Sequence, residues 1–200
     1  MEGLLFVVSG PSGAGKGTIC GEVVRRTEVE LSVSATTRIP RKGEVHGKDY
    51  FFMTEEEFLE IVRKDGFVEY VENFGKHYGT PEAFVREKLK SGRDLILEID
   101  VQGAAKIRRK FPQCVQIFIL PPSLEELKRR ILNRGTESPE SVALRLKQAM
   151  DEVECLGTYD YFIVNDQVEQ AVEAMISIIS AQHNKVGNRA EEIIRTFKEA

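Results

Sequence analysis

Nine consecutive residues, Gly10-Pro11-Ser12-Gly13-Ala14-Gly15-Lys16-Gly17-Thr18, carry the densest chemistry in the chain. They follow the spacing G-x-x-x-x-G-K, in which glycines let main-chain N–H groups converge on an anion and a lysine reaches the outer phosphates of a nucleotide. The context agrees with that chemistry. The run Leu4 to Val8 before it is short, apolar and flanked by glycine and proline, as expected of a parallel strand buried on both faces. A helical pattern through Ile19, Val23 and Val24 follows, so the loop opens onto a helix N-terminus whose dipole favours negative charge. These residues predict a nucleoside triphosphate site. One position departs from the usual pattern. Where a Ser or Thr normally follows the lysine and helps hold Mg²⁺, this chain has Gly17 and then Thr18. Thr18 is left to bond the α-phosphate, and Mg²⁺ must rely on water, the nucleotide phosphates and acidic residues elsewhere.

A second group lies in the loop Ser34 to Glu44, where Arg38 and Arg41 stand three apart around Pro40. Guanidinium forks suit bidentate phosphate binding, and the prolyl ring stiffens the loop that presents them. Read alone, such a pair is more often solvated surface than ligand. Glu69 in an apolar strand and Tyr78 beside Gly79 are equally equivocal alone, but beside a phosphate cradle the set predicts a second phosphate-bearing ligand. A third group is basic: Arg130 and Arg134, four apart, share one helical face, and Arg145 stands in the next helix. His46, His77 and His183 are too scattered for a metal site or a catalytic triad.

The elements that must position these groups alternate. Besides Leu4 to Ser9, the runs Leu31 to Ser34, Leu95 to Asp100, Val115 to Leu120 and Tyr161 to Val164 read as buried strands. Between them lie helices with recognisable ends. Thr80 is expected to cap one that has Pro81 at its first position and stops at Ser91-Gly92. Ser123 with Glu126 reads as a capping box for a helix ended by Gly135, and Ser138 with Pro139 starts another that runs to about Leu156. Alternation of this kind implies an α/β fold with a parallel sheet covered on both faces. Residues 35 to 80 interrupt it with short strands (Tyr50 to Met53, Phe67 to Val71, Lys76 to Gly79) around a helix capped by Thr54 and Glu57, which reads as an inserted subdomain. After it, Val168 to Asn184 forms an amphipathic helix, Gly187 interrupts, and Ala190 to Phe197 carries a second helical pattern that packs on the core, dimerises or frays.

Composition excludes several classes. A net charge of −4 gives no global electrostatic reason to bind nucleic acid, and no run approaches the 18 apolar residues of a membrane span. Cys20, Cys114 and Cys155 are odd in number, with no C-x-x-C, which fits buried thiols in a reducing cytoplasm. Met1-Glu2-Gly3 and the short apolar run after it lack the regions of a signal peptide.

The motifs G-P-S-G-A-G-K at 10–16, S-x-T-T-R-x-P-R-x-G-E at 34–44, G-K-D-Y-x-F at 47–52, the Glu69 strand, Y-G-T at 78–80, I-D-x-Q-G at 99–103, R-G-T-E at 134–137 and I-V-N-D at 163–166 occur in this order. Together they resemble the guanylate kinase family over about residues 4 to 183. The resemblance implies a five-stranded parallel core made of 1–33, 84–123 and 157–186, a GMP-binding subdomain at 34–83, a lid at 124–156 and a helical tail at 187–200. It implies the Mg²⁺-dependent reaction ATP + GMP ⇌ ADP + GDP, with dGMP accepted, in a cytoplasmic monomer or homodimer. Carried residue by residue, the GMP phosphate falls to Arg38, Arg41, Tyr50 and Tyr78, with Glu44 and Glu98 on the same side, and guanine to Ser34, Glu69, Thr80 and Asp100. Guanine presents N1–H beside its 2-amino group, and one carboxylate at Glu69 accepts from both, whereas adenine would leave it unpaired. Glu98 and Asp100, ending an apolar strand beside the loop, can also orient Mg²⁺ and its waters. Arg130, Arg134 and Arg145 become lid arginines that close over ATP, and Asn165 an adenine-side contact. The alternative implied is a guanylate-kinase-like module that has lost catalysis and binds protein partners; the intact Gly10, Gly15 and Lys16 argue against it.

Overall fold

A computed structural model describes residues 2–73, 75–133, 139–187 and 190–199. Its elements, in chain order, are β1 (Leu5–Ser9), α1 (Lys16–Arg26), β2 (Glu30–Leu31), β3 (Ala35–Thr36), β4 (Phe51–Phe52), α2 (Glu55–Arg63), β5 (Phe67–Asn73), β6 (Lys76–Pro81), α3 (Glu82–Lys90), β7 (Leu95–Glu98), α4 (Val101–Lys110), β8 (Val115–Leu120), α5 (Leu124–Leu132), α6 (Pro139–Glu154), β9 (Tyr161–Val164), α7 (Val168–His183) and α8 (Ala190–Glu199). A 3₁₀ turn over Cys155–Thr158 joins α6 to β9.

The main sheet has five parallel strands in the order β2-β7-β1-β8-β9. Its central strand β1 is buried at every residue because it is covered on both faces. Period-two alternation then divides its side chains. Phe6 and Val8 pack with Ile19 and Val23 of α1 and Val172 and Met175 of α7. Leu5 and Val7 pack with Val85 of α3 and Ala104 and Ile107 of α4. One continuous apolar run thereby anchors two layers of helices, and its C-terminal end carries the phosphate loop.

The insertion forms a separate sheet, β4-β3-β6-β5, in which β3 pairs parallel with β4 and antiparallel with β6. Its small core stacks Phe58 on Phe67, with ring centroids 4.3 Å apart. Thr54 accepts the Glu57 N–H and the Glu57 carboxylate answers at the Thr54 N–H, completing the expected capping box.

Several expected boundaries move. The strand expected over Leu31 to Ser34 is only Glu30–Leu31, since pairing with β7 ends at Leu31 and Ile96 and leaves Ser34 in the connection to the insertion. Thr80 does not cap α3: β6 continues through it, and Pro81 takes the cap position with extended backbone (ψ 124°) and no side-chain cap. Ser123 accepts the Glu126 N–H as expected, but the Glu126 carboxylate turns to Arg129 and Arg130. α5 ends at Leu132, before Gly135, and α6 ends at Glu154; Gly135 and Ser138 lie outside the described residues.

Candidate active site

The phosphate loop is held in shape from beneath. Gly10 has φ 142° and a Cβ there would lie 2.1 Å from the Ile119 carbonyl oxygen; at Gly15, with φ 91°, it would lie 2.2 Å from Asn165 Nδ2. At Gly10 a side chain would run into backbone, at Gly15 into the Asn165 amide, and both φ values lie where side chains are strained. Gly15 also occupies the N-cap of α1 and offers no side-chain cap, so the first N–H groups of that helix are left for an anion. Pro11 and Ala14 are buried, Ser12, Gly17 and Thr18 are exposed, and the Ala14 N–H closes the turn on the Pro11 carbonyl at 3.0 Å. Lys16 Nζ donates to the Gly10 carbonyl at 2.6 Å and the Pro11 carbonyl at 3.3 Å, curled over the loop it is to serve.

A cavity of about 670 Å³ opens above this loop, and Glu98, Asp100 and Glu152 line its far side. Burial raises the Glu98 carboxyl above its ordinary range, while Lys16 pulls it down. Gly17 stands close to Glu98: a Cβ there would lie 3.4 Å from Glu98 Oε2. Asp100 caps α4, its Oδ1 accepting the Gly103 N–H at 2.7 Å. Glu152, from α6, belongs to no motif in the sequence. Burial raises its carboxyl as well, and its Oε2 has no hydrogen-bond partner among the described residues. The one available signal was its spacing of seven from Arg145, which places both on one face of α6; Arg145 Nη1 donates to Ser12 Oγ at 3.3 Å.

A smaller cavity of about 310 Å³ is lined by Ser34, Tyr50, Thr80, Glu98 and Ile99 among others, so the two cavities share Glu98 and Ile99. Thr80, buried in β6, donates its hydroxyl to Glu69 Oε1 at 3.0 Å across the β5–β6 pair. Burial raises the Glu69 carboxyl, Thr80 lowers it and Asp100 raises it further. Arg38 is clamped by Glu44 through two bonds of 2.9 and 2.8 Å, which lower the Glu44 carboxyl from its ordinary value. Glu44 also accepts the Arg41 N–H at 2.6 Å, ordering the loop turn, while Arg41 itself is exposed. The Arg38 guanidinium lies 5.4 Å from the centroid of Tyr50, whose ring meets Tyr78 edge-on at 6.2 Å. The structure thus gathers Arg38, Tyr50 and Tyr78 at one place; Ser34 and Thr80 line the same cavity as Tyr50, and Thr80 holds Glu69.

On the lid side, Arg130 Nε donates to Glu126 at 2.7 Å and its Nη2 to the Asn165 carbonyl at 2.9 Å. Arg134 lies outside the described residues. Asn165 is buried and ties itself to the loop through Nδ2, which donates to the Ala14 carbonyl at 2.7 Å. His77 stacks on Phe58 at 5.2 Å inside the insertion, a packing role. Among the described residues no group of three or more His, Cys, Asp or Glu could hold a metal ion, all three cysteines are free, and no helix is long and apolar enough to cross a membrane.

Comparison with known proteins agrees with this geometry. Residues 3–182 match the family model described as guanylate kinase. The chain is 48% identical over 200 residues to a guanylate kinase of Caldanaerobacter subterraneus subsp. tengcongensis, covering 100% of this chain and 97% of that one. It is 51% identical over 193 residues to one of Clostridium acetobutylicum, covering 96% and 92%. A crystal structure of guanylate kinase from Anaplasma phagocytophilum superposes with a TM-score of 0.72 at 36% identity, covering 92% of this chain and 88% of that one. A phosphate loop, an acidic strand end shared by two cavities and a match spanning nearly the whole chain converge: this chain belongs to the guanylate kinase family.

Proposed function

We propose that the chain transfers the γ-phosphoryl group of ATP to GMP, giving ADP and GDP, by aligning two nucleotides in adjoining cavities. The observation that carries this reading is the shared wall: Glu98 and Ile99 line both the phosphate-loop cavity and the cavity beneath Tyr50 and Thr80. Two anionic ligands placed there meet phosphate to phosphate. A GMP phosphate oxygen attacks the γ-phosphorus, the bond to the β–γ bridging oxygen breaks, and the electron pair leaves with ADP. The nucleophile is already an anion, so what the protein must supply is alignment and positive charge.

Each residue then has a part. Lys16 Nζ exchanges the Gly10 and Pro11 carbonyls for phosphate oxygens, and N–H groups of the loop and the first turn of α1, including Thr18, cradle the remainder. Arg38, Arg41, Tyr50 and Tyr78 hold the GMP phosphate, and the Glu44 clamp keeps the Arg38 fork oriented. Ser34, Glu69, Thr80 and Asp100 read guanine; the hydroxyl of Thr80 fixes the Glu69 carboxylate that accepts from N1–H and the 2-amino group. Arg130, Arg134 and Arg145 bring charge from the lid, 124–156, over the core; 34–83 acts as the GMP subdomain. Mg²⁺ suits these residues, because it favours phosphate oxygens and water with one or two carboxylates, and Glu98 and Asp100 supply those beside the loop. Bound with ATP, the ion offsets negative charge on the phosphates.

Incubation of the chain with ATP, GMP and Mg²⁺ tests the reading. ADP and GDP are expected in equal amounts. GMP binding without turnover would contradict it and place the chain among non-catalytic interaction modules.

A further inference from the structure

Asn165 joins the two parts of the site that must agree in position. It stands just past β9, is 2% exposed, and continues the β8–β9 ladder by donating its N–H to the Leu120 carbonyl at 2.7 Å. From this fixed base its Nδ2 reaches the Ala14 carbonyl at 2.7 Å. A carbonyl only accepts, so the amide nitrogen must face Ala14 and Oδ1 must face away; Oδ1 has no partner among the described residues. The Ala14–Gly15 peptide is planar and trans, which sets its C=O and N–H in opposite directions. Holding the Ala14 oxygen toward Asn165 therefore turns the Gly15 N–H the other way, toward the phosphate cavity that Gly15 lines. The contact is flush: a Cβ at Gly15 would fall on Nδ2. On its other side, the main-chain carbonyl of Asn165 accepts from Arg130 Nη2 at 2.9 Å, while Glu126 steadies the same guanidinium through Nε at 2.7 Å.

We propose that Asn165 is a positioning residue for phosphoryl transfer, its side-chain amide aiming the Ala14–Gly15 peptide at the phosphates and its carbonyl holding Arg130 at a matched distance. The proposal rests on the ATP:GMP transfer reading. It differs from a contact to the adenine ring, because the amide acts through the loop. A loop peptide free to rotate keeps most of its affinity for nucleotide yet misaligns the γ-phosphate, and misplacement by about 1 Å costs on the order of 100-fold in rate.

Steady-state kinetics and thermal melting of Asn165→Ala and Asn165→Asp test this. Aspartate keeps the shape and, assayed at a pH high enough to ionise it, presents only acceptors to Ala14, so a packing role is rescued by it and a donating role is not. Both variants are expected to lose on the order of 100-fold in kcat while KM for ATP and GMP stay within about threefold. Should the alanine variant not fold, the aspartate variant decides alone. A rise in KM for ATP with kcat retained would overturn the proposal in favour of a base contact. A lowered melting midpoint with kcat retained, or full rescue by aspartate, would overturn it in favour of packing. Absence of GMP-dependent turnover in the unsubstituted chain would instead overturn the reading beneath it.

Discussion

On the ATP side the phosphate loop is slung between β1 and α1, and its neighbours Phe6, Val8, Ile19 and Ile117 are fully buried. On the side proposed for GMP, the sheet of the insertion includes two strands of two residues each, β3 and β4, over a core of a few aromatic rings. The first half offers main-chain groups whose aim is set by the core: N–H groups of α1, glycines at positive φ, a peptide braced by Asn165. The second offers side chains braced by one another: Arg38 by Glu44, Glu69 by Thr80, Tyr50 by Tyr78. On the proposed reading, the backbone cradle takes a triphosphate whatever base it carries, while side chains on a thin sheet choose the base and the acceptor. The lesson is a division of labour, in which damage to the loop stops chemistry and damage to the insertion changes what is accepted.

The largest expected effect comes from Lys16→Met, which removes the lysine of the phosphate loop itself. Turnover should fall by at least about 10³-fold, in the range of losing a major charge-stabilising group, while calorimetric GMP affinity stays near that of the unsubstituted chain. Retained turnover would remove Lys16 from its assigned role. Next comes Glu69→Gln, the mirror experiment in the other half. An amide cannot accept from both guanine donors, so KM for GMP should rise about 10- to 100-fold with KM for ATP unchanged. Equal losses for both ligands would erase the proposed division.

A pH titration of binding sharpens the same contrast. Burial holds the Glu69 carboxyl above its ordinary value, and only the ionised form accepts from both guanine donors. GMP affinity should therefore weaken as pH falls through that raised value, and the dependence should flatten in Glu69→Gln. For folding the sign is reversed. A carboxyl raised by burial contributes stability that is fully present below its unfolded value and is lost as pH rises through its folded one, so Glu69→Gln should be the more stable chain near neutrality. The smallest effect is expected from Gly17→Ser. The site has ordinary helical backbone and a Cβ would sit 3.4 Å from Glu98 Oε2, so the serine fits, and the expected change in kcat is within about threefold. A large gain would show that Mg²⁺ depends on a loop hydroxyl more than Glu98 and Asp100 allow.

How legible each half was follows from the same physics. The core strands could be read because burial on both faces leaves an uninterrupted apolar run, as in Leu5–Ser9 and Val115–Leu120, and the loop because glycine spacing is local. The Thr54–Glu57 box was equally local. Thr80 resembles a cap in the sequence because Thr-Pro suits a helix start as well as a strand end; only the partner strand, which supplies Glu69, decides between them. The apolar run Leu31 to Ser34 overstates the edge strand because the chain leaves β7 after Leu31, while β7 itself runs on to Glu98 beside β1. Glu152 and the Asn165 strut were out of reach for another reason. Asn165 Nδ2 meets the Ala14 carbonyl 151 positions away and Glu152 shares a cavity with the phosphate loop, and neither meeting is encoded by a local motif.

One measurement bears most directly on the central claim, that a base-indifferent phosphate cradle faces a guanine-reading acceptor site. ADP release is followed with ATP and Mg²⁺ against GMP, dGMP, AMP, UMP and CMP in turn, with a control lacking acceptor. ADP matched by GDP or dGDP, with the other acceptors near the control, is the expected result. ADP formed as readily with AMP would contradict the guanine assignment of Ser34, Glu69, Thr80 and Asp100, while leaving the phosphate cradle in place.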